Sequence, residues 1–455
     1  MFYGRESEIG MFNQKLNSSY FEFVVLYGRR RVGKTALLNE VLKNRDAIFF
    51  VANKEAENIA LERFSQAILQ TRPELENILT VFESWDKALA FIFENNLILA
   101  IDEFPYLAKT HPRILTLLQN MIDKYHTDKK CKLILCGSSM SFMENQILGY
   151  ESPLYGRRTA QLKLKPFKFN EAKHFFDHFT KENQFIAYSV FGGIPYYLIF
   201  LKRYICLKDA ILDLILKPSG HLYEEPTNML LQVLREPTQY NSIISAIACG
   251  YSKHNEIATK VNLDRAKCSK YLRTLQNLHI VEKNYPDQKE KKNKAVYSIK
   301  DPLFRFWYRY IPKYRTFIEL DKSEYLYNEI ISGDLPEFMG YAFEEICKQY
   351  LEEHLISDKY PWKLIEVKRW WGNNPIEKKE EEIDLVGWNN EAVLFSECKW
   401  RNEKTGMKTY NELKRKSAIL NESPLYYVIF SKSGFNDELM ESNDDNLFLI
   451  DIDEF

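Results

Sequence analysis

Long hydrophobic runs are absent from this sequence: no apolar stretch reaches the roughly 18 residues that a helix needs to cross a bilayer. The opening residues MFYGRESEIG also lack the basic-then-apolar pattern of a secretory signal. Cysteine is sparse, with seven residues and no CxxC pair, so neither a disulfide framework nor a cysteine-rich zinc site is indicated. We therefore expect a soluble, cytoplasmic protein that has no membrane partner.

The chain also has no excess of charge of either sign. Its 455 residues include 62 Lys and Arg against 63 Asp and Glu, for a net charge of −1. That balance is a cancellation, because residues 1–200 carry +3, residues 251–300 carry +7 and residues 301–455 carry −11. The uneven distribution suggests modules with different partners, and the length predicts two to four domains at about 100–200 residues each.

A phosphate-binding loop is the strongest motif. A strand-like run at residues 21–27 leads into GRRRVGKT, and a helical pattern follows. This order matches the G-x-x-x-x-G-K-[ST] loop, in which backbone N–H groups surround phosphates, Lys34 reaches the β- and γ-phosphates and Thr35 is a Mg²⁺ ligand. The alternative is a chance match, which the flanking strand and helix disfavour. We predict ATP and Mg²⁺ as cofactors. The predicted nucleotide contacts in the loop are Gly28, Arg29, Arg30, Arg31, Val32, Gly33, Lys34, Thr35 and Ala36.

Two adjacent acids, Asp102 and Glu103, end the apolar run NLILAIDEF at residues 96–104. We expect Asp102 to hold the Mg²⁺ ion through water and Glu103 to polarise the water that attacks ATP. The alternative is an acid pair at a strand end without a catalytic role.

Two further segments carry candidates for the ATP site. The predicted strand KLILCGSS at residues 132–139 ends in two serines, and the hydroxyl of Ser138 or Ser139 could bond the γ-phosphate or the attacking water, although serine is also a common turn residue. Arg157 and Arg158 precede the fifth predicted strand, and an arginine that reaches the developing charge raises phosphoryl-transfer rates by about 10³–10⁵. The alternative is a pair of surface arginines. If either arginine acts in trans, the protein must form an oligomer.

Residues 1–220 resemble the AAA+/STAND-type ATPases that are often labelled archaeal-type ATPases. The resemblance lies in FYGRESEI, the phosphate loop, LILAIDEF, GSS, LYGRR and FGGIPYYL at residues 191–198. It implies that Tyr3, Gly4 and Arg5 lie near the adenine and that a helical lid approaches the nucleotide at Pro195. Other AAA+ proteins present an arginine in the lid, and this chain has none in that segment.

The basic middle region, residues 226–305, has the pattern of a winged helix: helix, helix, turn, helix and then a hairpin. We predict a recognition helix at about 264–278 and a nucleic-acid partner, most simply DNA, held through its phosphates. The alternative is a spacer or protein-docking module. The candidate cations are Arg265, Lys267, Lys270 and Arg273 on the helix, and Lys289, Lys291, Lys292 and Lys294 in the wing.

The C-terminal region places four polar residues in a pattern typical of metal-dependent phosphodiesterases. Glu344 lies on a predicted helix, Asp384 on a strand at 380–388, and Glu397 and Lys399 on a strand at 392–400. Because Glu397 and Lys399 are two residues apart, their side chains share a face that can turn toward Asp384. Asp384 and Glu397 would bind Mg²⁺, and Lys399 would orient or activate the attacking water.

These four residues resemble the core of the PD-(D/E)xK nucleases, with Glu344 as the helical acid and Ile383 where a proline is usual. Their combination with the ATPase and winged-helix patterns resembles full-length ATPases whose C-terminal domain is of unknown function. The pattern is loose, and the alternative is a nuclease-like fold that docks a protein partner.

The expected fold class is α/β: a parallel P-loop NTPase sheet with a helical lid, a winged helix and a C-terminal α/β nuclease-like domain. The expected ranges are 1–168, 169–225, 226–305 and 306–455. We expect an ATPase that couples its nucleotide state to nucleic-acid binding and to Mg²⁺-dependent phosphodiester cleavage. The alternative is a nucleotide-dependent switch that docks a protein partner through an inactive C-terminal domain.

Overall fold

The chain forms two compact units in a computed structural model: Met1–Pro166 with Ile194–Tyr196, and Phe167–Gly193 with Tyr197–Phe455. The structure describes residues 2–75, 77–234, 236–285, 295–374, 378–389, 392–419 and 425–455. Within these ranges no helix is both long and apolar enough to cross a membrane.

A five-stranded parallel sheet lies at the centre of the first unit, as the sequence predicts. Its strands are β1 (Glu22–Gly28), β2 (Ala47–Val51), β3 (Ile98–Asp102), β4 (Lys132–Gly137) and β5 (Ala160–Leu164). The strand order is β2-β3-β4-β1-β5, which puts β1 in the interior of the sheet. Every residue of β1 is buried, which explains its continuous rather than alternating apolar pattern.

Seven helices accompany this sheet in the described part of the first unit. They are α1 (Glu6–Leu16), α2 (Lys34–Leu42), α3 (Glu57–Thr71), α4 (Trp85–Glu94), α5 (Phe104–Thr110), α6 (Arg113–Tyr125) and α7 (Met140–Phe142). The helix α2 begins directly after the phosphate loop, and α5 begins one residue after the acid pair at the end of β3. The carboxyl ends of the parallel strands therefore carry the predicted ATP site.

The second unit begins with short helices in the region predicted as a lid. They are α8 (Phe169–Ala172), α9 (Lys181–Phe191), α10 (Pro195–Leu198), α11 (Leu207–Leu214) and α12 (Glu225–Val233); the first two residues of α10 belong to the first unit. The helix α9 is buried over nearly its whole length: eight of its eleven residues are buried.

Three helices and a hairpin follow in the order that the sequence predicts. They are α13 (Pro237–Ala248), α14 (His254–Lys260), α15 (Arg265–Asn277), β6 (Val281–Asn284) and β7 (Val296–Ile299). The Asp264 side chain caps α15 by accepting a 2.9 Å hydrogen bond from the Lys267 backbone N–H. Leu272 and Leu275 bury the inner face of α15. The predicted wing lysines at 289, 291, 292 and 294 lie outside the described residues.

In the rest of the described chain, three α-helices precede a second five-stranded sheet. The helices are α16 (Pro302–Glu319), α17 (Ser323–Leu326) and α18 (Ser332–Glu353). The sheet contains β8 (Glu366–Asn374), β9 (Lys379–Trp388), β10 (Val393–Lys399), β11 (Leu425–Ser431) and β12 (Leu447–Asp451), with α19 (Met407–Ser417) and α20 (Asp437–Met440) between strands.

The order of this second sheet is β12-β11-β10-β9-β8. The strands β8, β9 and β10 pair antiparallel, whereas β10, β11 and β12 pair parallel. Sequence analysis located β9 and β10 and did not predict β8, β11 or β12.

Candidate functional site

Lys34 lies inside the phosphate loop. Its Nζ donates to the backbone carbonyls of Gly28 and Arg29, each at 3.0 Å. Burial lowers the pKa of Lys34, while the nearby carboxylates of Asp102 and Glu103 act in the opposite direction. The ammonium group is thus held at the centre of the loop, where a phosphate could replace the two carbonyls as its partner.

Both glycines of the loop are required by its backbone. A Cβ at Gly28 would lie 2.4 Å from the Leu164 carbonyl oxygen on β5, so a side chain does not fit. Gly33 has a φ of 95°, a conformation that favours glycine, and it precedes the first residue of α2. Val32 is fully buried, whereas Thr35 and Ala36 are exposed at the start of the helix.

The structure brings together the two predicted Mg²⁺ ligands of the ATP site. The Thr35 hydroxyl donates to Asp102 Oδ2 at 2.5 Å, and Asp102 is only 1% exposed. The other carboxylate oxygen of Asp102 accepts from the Glu103 backbone N–H at 2.8 Å. Because parallel strands β3 and β1 end at the same edge, residues 67 positions apart meet there.

Glu103 and Ser138, which the sequence placed in the same site, contact each other. The Ser138 hydroxyl donates to Glu103 Oε2 at 2.8 Å, and the Ser138 backbone N–H approaches the same oxygen at 3.4 Å. Glu103 itself has a φ of 50°, an uncommon conformation for a residue with a side chain. The site therefore fixes the Glu103 carboxylate through both its backbone and its partner Ser138, the residue that follows β4.

The opening segment is tied to the loop by Arg5. Its guanidinium donates to the carbonyl oxygens of Lys165 at 2.6 Å and Val32 at 3.4 Å, and to Glu8 Oε1 at 3.0 Å. Arg5 is only 4% exposed. The neighbouring predicted contacts, Tyr3 and Gly4, are half-buried.

The segment Ile194–Tyr196 also borders the loop. A Cβ built at Gly33 would lie 3.6 Å from Pro195 Cγ. The Arg31 guanidinium lies 4.6 Å from the centre of the Tyr196 ring. Sequence analysis selected Pro195 and missed Tyr196, although both belong to the FGGIPYYL segment.

The loop and strand-end arginines differ in what they contact. Arg30 donates to the Tyr106 hydroxyl at 2.6 Å, a partner that no sequence signal indicated. Arg157 forms two hydrogen bonds with the Asp123 carboxylate, at 2.6 and 2.7 Å. Arg158 is half-buried and makes no hydrogen bond or ion pair with any residue that the structure describes. Of the two candidates for an arginine finger, Arg157 is thus already engaged by a carboxylate.

In the second unit, the predicted acidic residues and lysine of the strands lie together. Ser396 pairs with Leu385, and continuing this register brings Glu397 level with Asp384. Asp384 Oδ2 accepts a 2.7 Å hydrogen bond from the Cys398 backbone N–H, and Lys399 Nζ donates to Glu397 Oε1. Glu397 and Lys399 therefore lie on one face of β10, next to Asp384 on β9.

Glu344 on α18 faces the same group. Arg369 Nη2 lies 2.8 Å from Glu344 Oε2 and 2.7 Å from Glu382 Oε1. Burial raises the pKa of Glu344 to about 8, with a further contribution from Asp384. Burial likewise raises the pKa of Asp384 to about 6, and Glu397 adds to it. The carboxyl groups are therefore close enough to influence one another's ionisation.

Two cations that sequence analysis missed complete this cluster: Arg369 beside Glu344, and Lys416, whose Nζ lies 3.5 Å from Glu397 Oε2. No motif marked either residue, because they come from β8 and α19. Within the described part of the chain, no group of three or more His, Cys, Asp and Glu side chains is arranged to hold a metal ion. The site is thus an acid–base cluster in which cations accompany the carboxylates.

The predicted cations of α15 lie on its outer face. Arg265, Lys267, Lys270 and Arg273 are all exposed. The buried face of the same helix carries Cys268, Leu272 and Leu275. The helix therefore packs through one face and presents positive charge on the other.

Comparison with known proteins finds matches to two different parts of the chain. Residues 2–201 match a family model described as an ATPase domain predominantly from Archaea. Residues 307–413 match a model described as archaeal and bacterial proteins of unknown function. An uncharacterized protein of Methanocaldococcus jannaschii is 34% identical over 463 residues, and the alignment covers 100% of both chains.

Two other proteins are similar over part of the chain. An uncharacterized ATP-binding protein of the same organism is 42% identical over 45 residues, which cover 10% of this chain and 76% of that protein. The Walker-type ATPase structure from Pyrococcus abyssi has a TM-score of 0.52 at 21% identity and covers 68% of this chain and 96% of that one.

This structural likeness confirms the predicted α/β fold class, with a parallel sheet of the P-loop type. The full-length similarity and the domain match show the family and its activity. The chain belongs to the archaeal-type ATPases, and it combines their nucleotide-binding ATPase domain with a C-terminal domain of unknown function.

Proposed function

We propose that this ATPase processes nucleic acid: ATP binding and hydrolysis in the first unit control a Mg²⁺-dependent phosphodiester-cleaving site in the second. The observation that carries the proposal is the cluster of Asp384, Glu397 and Lys399 on neighbouring strands, with Glu344 beside them. As part of the proposal we retain the four ranges 1–168, 169–225, 226–305 and 306–455 as ATPase core, lid, winged helix and nuclease-like domain.

The ATP site fits a Mg²⁺ ion because its adjacent donors, the Thr35 hydroxyl and the Asp102 carboxylate, are both oxygen. When bound, the ion would offset the charge of the β- and γ-phosphates. Lys34 would exchange its two carbonyl partners for phosphate oxygens. Glu103, held by Ser138, would orient the attacking water. Tyr3, Gly4, Arg5 and Pro195 would border the nucleotide.

The predicted ligands of the second site, the carboxylates of Asp384 and Glu397, are also oxygen donors. Mg²⁺ commonly binds through one or two carboxylates and keeps several waters, so Asp384 and Glu397 suffice without a third acid. The ion would supply charge stabilisation for the phosphate under attack. Lys399 would orient the attacking water from beside Glu397, and Glu344, whose raised pKa favours a proton, would act as a nearby acid.

The exposed cations of α15 support a nucleic-acid partner for the winged helix. The affinity for duplex DNA should fall as salt rises, and each phosphate that they neutralise should make the slope of log affinity against log salt steeper by about 0.9. Replacing Lys267 and Lys270 with alanine should therefore lower both the affinity and this slope. A slope that is unchanged in this variant would contradict the assignment.

Cleavage assays test the proposal directly. The full-length protein is mixed with DNA or RNA and Mg²⁺, with and without ATP, and the products are resolved by size. We expect Asp384→Asn and Lys399→Ala to slow cleavage by about 100-fold or more, since each removes a group that acts on the reacting phosphate or water. ATP binding should not change in either variant.

Lys404→Ala is the matched control, because it removes an exposed lysine outside the cluster. It should cleave at the wild-type rate. Absence of cleavage by the wild-type protein in every nucleotide state would overturn the nuclease assignment. Cleavage that Lys34→Ala leaves unchanged, with and without ATP, would overturn the coupling.

One observation favours a second candidate function, a nucleotide-dependent switch that docks a protein partner. The chain's own cations already neutralise the cluster: Lys399 and Lys416 contact Glu397, and Arg369 contacts Glu344. An inactive domain could keep such ion pairs permanently. In that case, Asp384→Asn protein should capture the same protein partner as the wild type, in a manner that depends on ATP, while neither protein cleaves nucleic acid.

A further inference from the structure

Two adjoining cavities lie in the second unit. One has a volume of about 210 Å³ and lies between α13, β7, α16 and α18. The other has a volume of about 420 Å³ and extends toward β8 and β9. Ser252, Tyr297 and Ser298 line both cavities, so the two lie side by side at the base of the hairpin.

Arg305 on α16 lines the smaller cavity. Its guanidinium carbon lies 4.8 Å from the centre of the Tyr341 ring and 5.7 Å from that of Phe338. Its Nε and Nη1 atoms are buried, and neither has a hydrogen-bond partner among the residues that the structure describes. Because the N–H bonds of a guanidinium lie in its plane, these donors can be satisfied only by acceptors near that plane.

The other charged groups around Arg305 are already paired or are not bonded to it. Arg309, in the same cavity, is bonded to Asp334 at 2.6 and 2.7 Å and to Glu337 at 3.0 Å. Glu337 and Arg305 therefore line the same cavity, but Glu337 is hydrogen-bonded to Arg309 and not to Arg305. Burial raises the pKa of the nearby Glu345, and Arg305 acts in the opposite direction, but no hydrogen bond joins these two side chains.

The hydroxyl groups that line the cavity also differ in whether they already form a hydrogen bond. The Tyr341 hydroxyl and Ser298 Oγ both donate to Glu282 on β6, at 3.0 and 3.2 Å. The side chain of Ser252 makes no hydrogen bond within the described ranges, and this residue lines both cavities. The cavity therefore offers two sets of unused donors, on Arg305 and on Ser252.

We propose that Arg305 and Ser252 bind the phosphate of a phosphate monoester in the smaller cavity, as a second phosphate site separate from the phosphate loop. A buried donor that has no hydrogen-bond acceptor costs free energy, and the planar guanidinium of arginine is suited to binding phosphate oxygens. The larger cavity is of the size of small-molecule sites, and it offers Tyr297 and Trp371 for contact with a nucleoside. The phosphate belongs either to a free mononucleotide or to the end of a nucleic-acid strand.

Binding measurements on the full-length protein distinguish these sources. The Lys34→Ala background removes binding at the phosphate loop, and EDTA removes divalent ions. The probes are AMP, a 5′-phosphorylated oligonucleotide and the same oligonucleotide with a 5′-hydroxyl. Adding Arg305→Gln should weaken binding of the phosphorylated probe about 10- to 100-fold, and adding Ser252→Ala about 2- to 10-fold.

Lys313→Gln is the matched control, since it removes one exposed positive charge from the same helix outside the cavity. Its affinity should equal that of the parent. Arginine-dependent binding of AMP identifies a free nucleotide as the ligand. A strand end is the ligand if AMP does not bind and the 5′-phosphorylated strand binds more tightly than the 5′-hydroxyl strand in a manner that depends on Arg305.

The proposal is overturned if no phosphorylated probe binds, or if binding persists unchanged in both cavity variants. Should Arg305→Gln fail to fold, Ser252→Asp provides the second test. It places a carboxylate in the cavity while Arg305 remains, and it should abolish phosphate binding. Retained phosphate binding in a folded Ser252→Asp protein would equally overturn the site.

Discussion

Ser138→Ala tests how the ATP site positions its catalytic acid. The substitution removes the 2.8 Å hydrogen bond from the Ser138 hydroxyl to Glu103 Oε2. Hydrogen bonds to charged groups contribute about 1.5–3 kcal/mol, which corresponds to roughly 10- to 150-fold in rate if the bond persists in the transition state. We therefore expect kcat for ATP hydrolysis to fall by about that factor, with little change in KM.

The effect should act through Glu103. Glu103→Gln removes the group that polarises water, and its loss should cost about 10²–10⁴-fold in kcat. If Ser138 only positions this carboxylate, the double variant should be no slower than Glu103→Gln alone. Steady-state ATPase rates of the wild type, the two single variants and the double variant form the complete cycle.

Ser139→Ala is the control for this experiment. Ser139 is the next residue in the chain, and its side chain does not cap the following helix. Its kcat should stay within about twofold of the wild type, since the Ser139 side chain makes no hydrogen bond within the described residues. The reasoning is refuted if the effects of Ser138→Ala and Glu103→Gln multiply in the double variant, because Ser138 would then act on the nucleotide independently.

Three further predictions concern the first unit. Lys34→Ala should abolish ATP binding measured by calorimetry, and retained tight binding would contradict the site. Gly28→Ala forces a Cβ to 2.4 Å from the Leu164 carbonyl oxygen, so it should lower the melting temperature and ATP affinity, whereas Gly10→Ala, an exposed helix position with free space, should stabilise by about 0.5–1 kcal/mol. Arg158→Ala should reduce kcat by about 10³ or more if Arg158 is the finger. Arg157→Ala removes a partly exposed ion pair with Asp123, worth about 0–1 kcal/mol, and two hydrogen bonds to backbone carbonyls, so it should affect stability and leave kcat nearly unchanged. A larger loss of kcat in Arg157→Ala than in Arg158→Ala would identify Arg157 as the arginine finger instead.

Several elements were predictable because their signals are local. The glycines of the phosphate loop, the apolar run before Asp102 and the cap at Asp264 each specify a conformation within a few residues. The two-residue period of a β-strand likewise places Glu397 and Lys399, both on β10, on one face. Such features need no knowledge of distant parts of the chain.

The strand β8 shows where local signals failed. Its sequence EVKRWWGNN mixes charged and aromatic residues, and its pairing with β9 shifts register between Lys368 and Trp370. An edge strand with an irregular register has no clean period of two, so its pattern resembles a loop. As a result, Arg369, which lies beside Glu344, carried no functional signal in the sequence.

By itself, the sequence determined which chemical groups the protein has and where each local motif begins: the phosphate loop, the acid pair, the basic helix and the acid–lysine strands. Only the tertiary structure decided the partners of those groups. Strand order brings Leu164 against Gly28, and it is the packing of distant elements that pairs Arg157 with Asp123, Arg369 with Glu344 and Arg5 with Lys165. The reason is physical: a side chain's charge and hydrogen-bonding capacity are fixed by its residue type, whereas its nearest neighbour depends on sheet order and register across the whole chain.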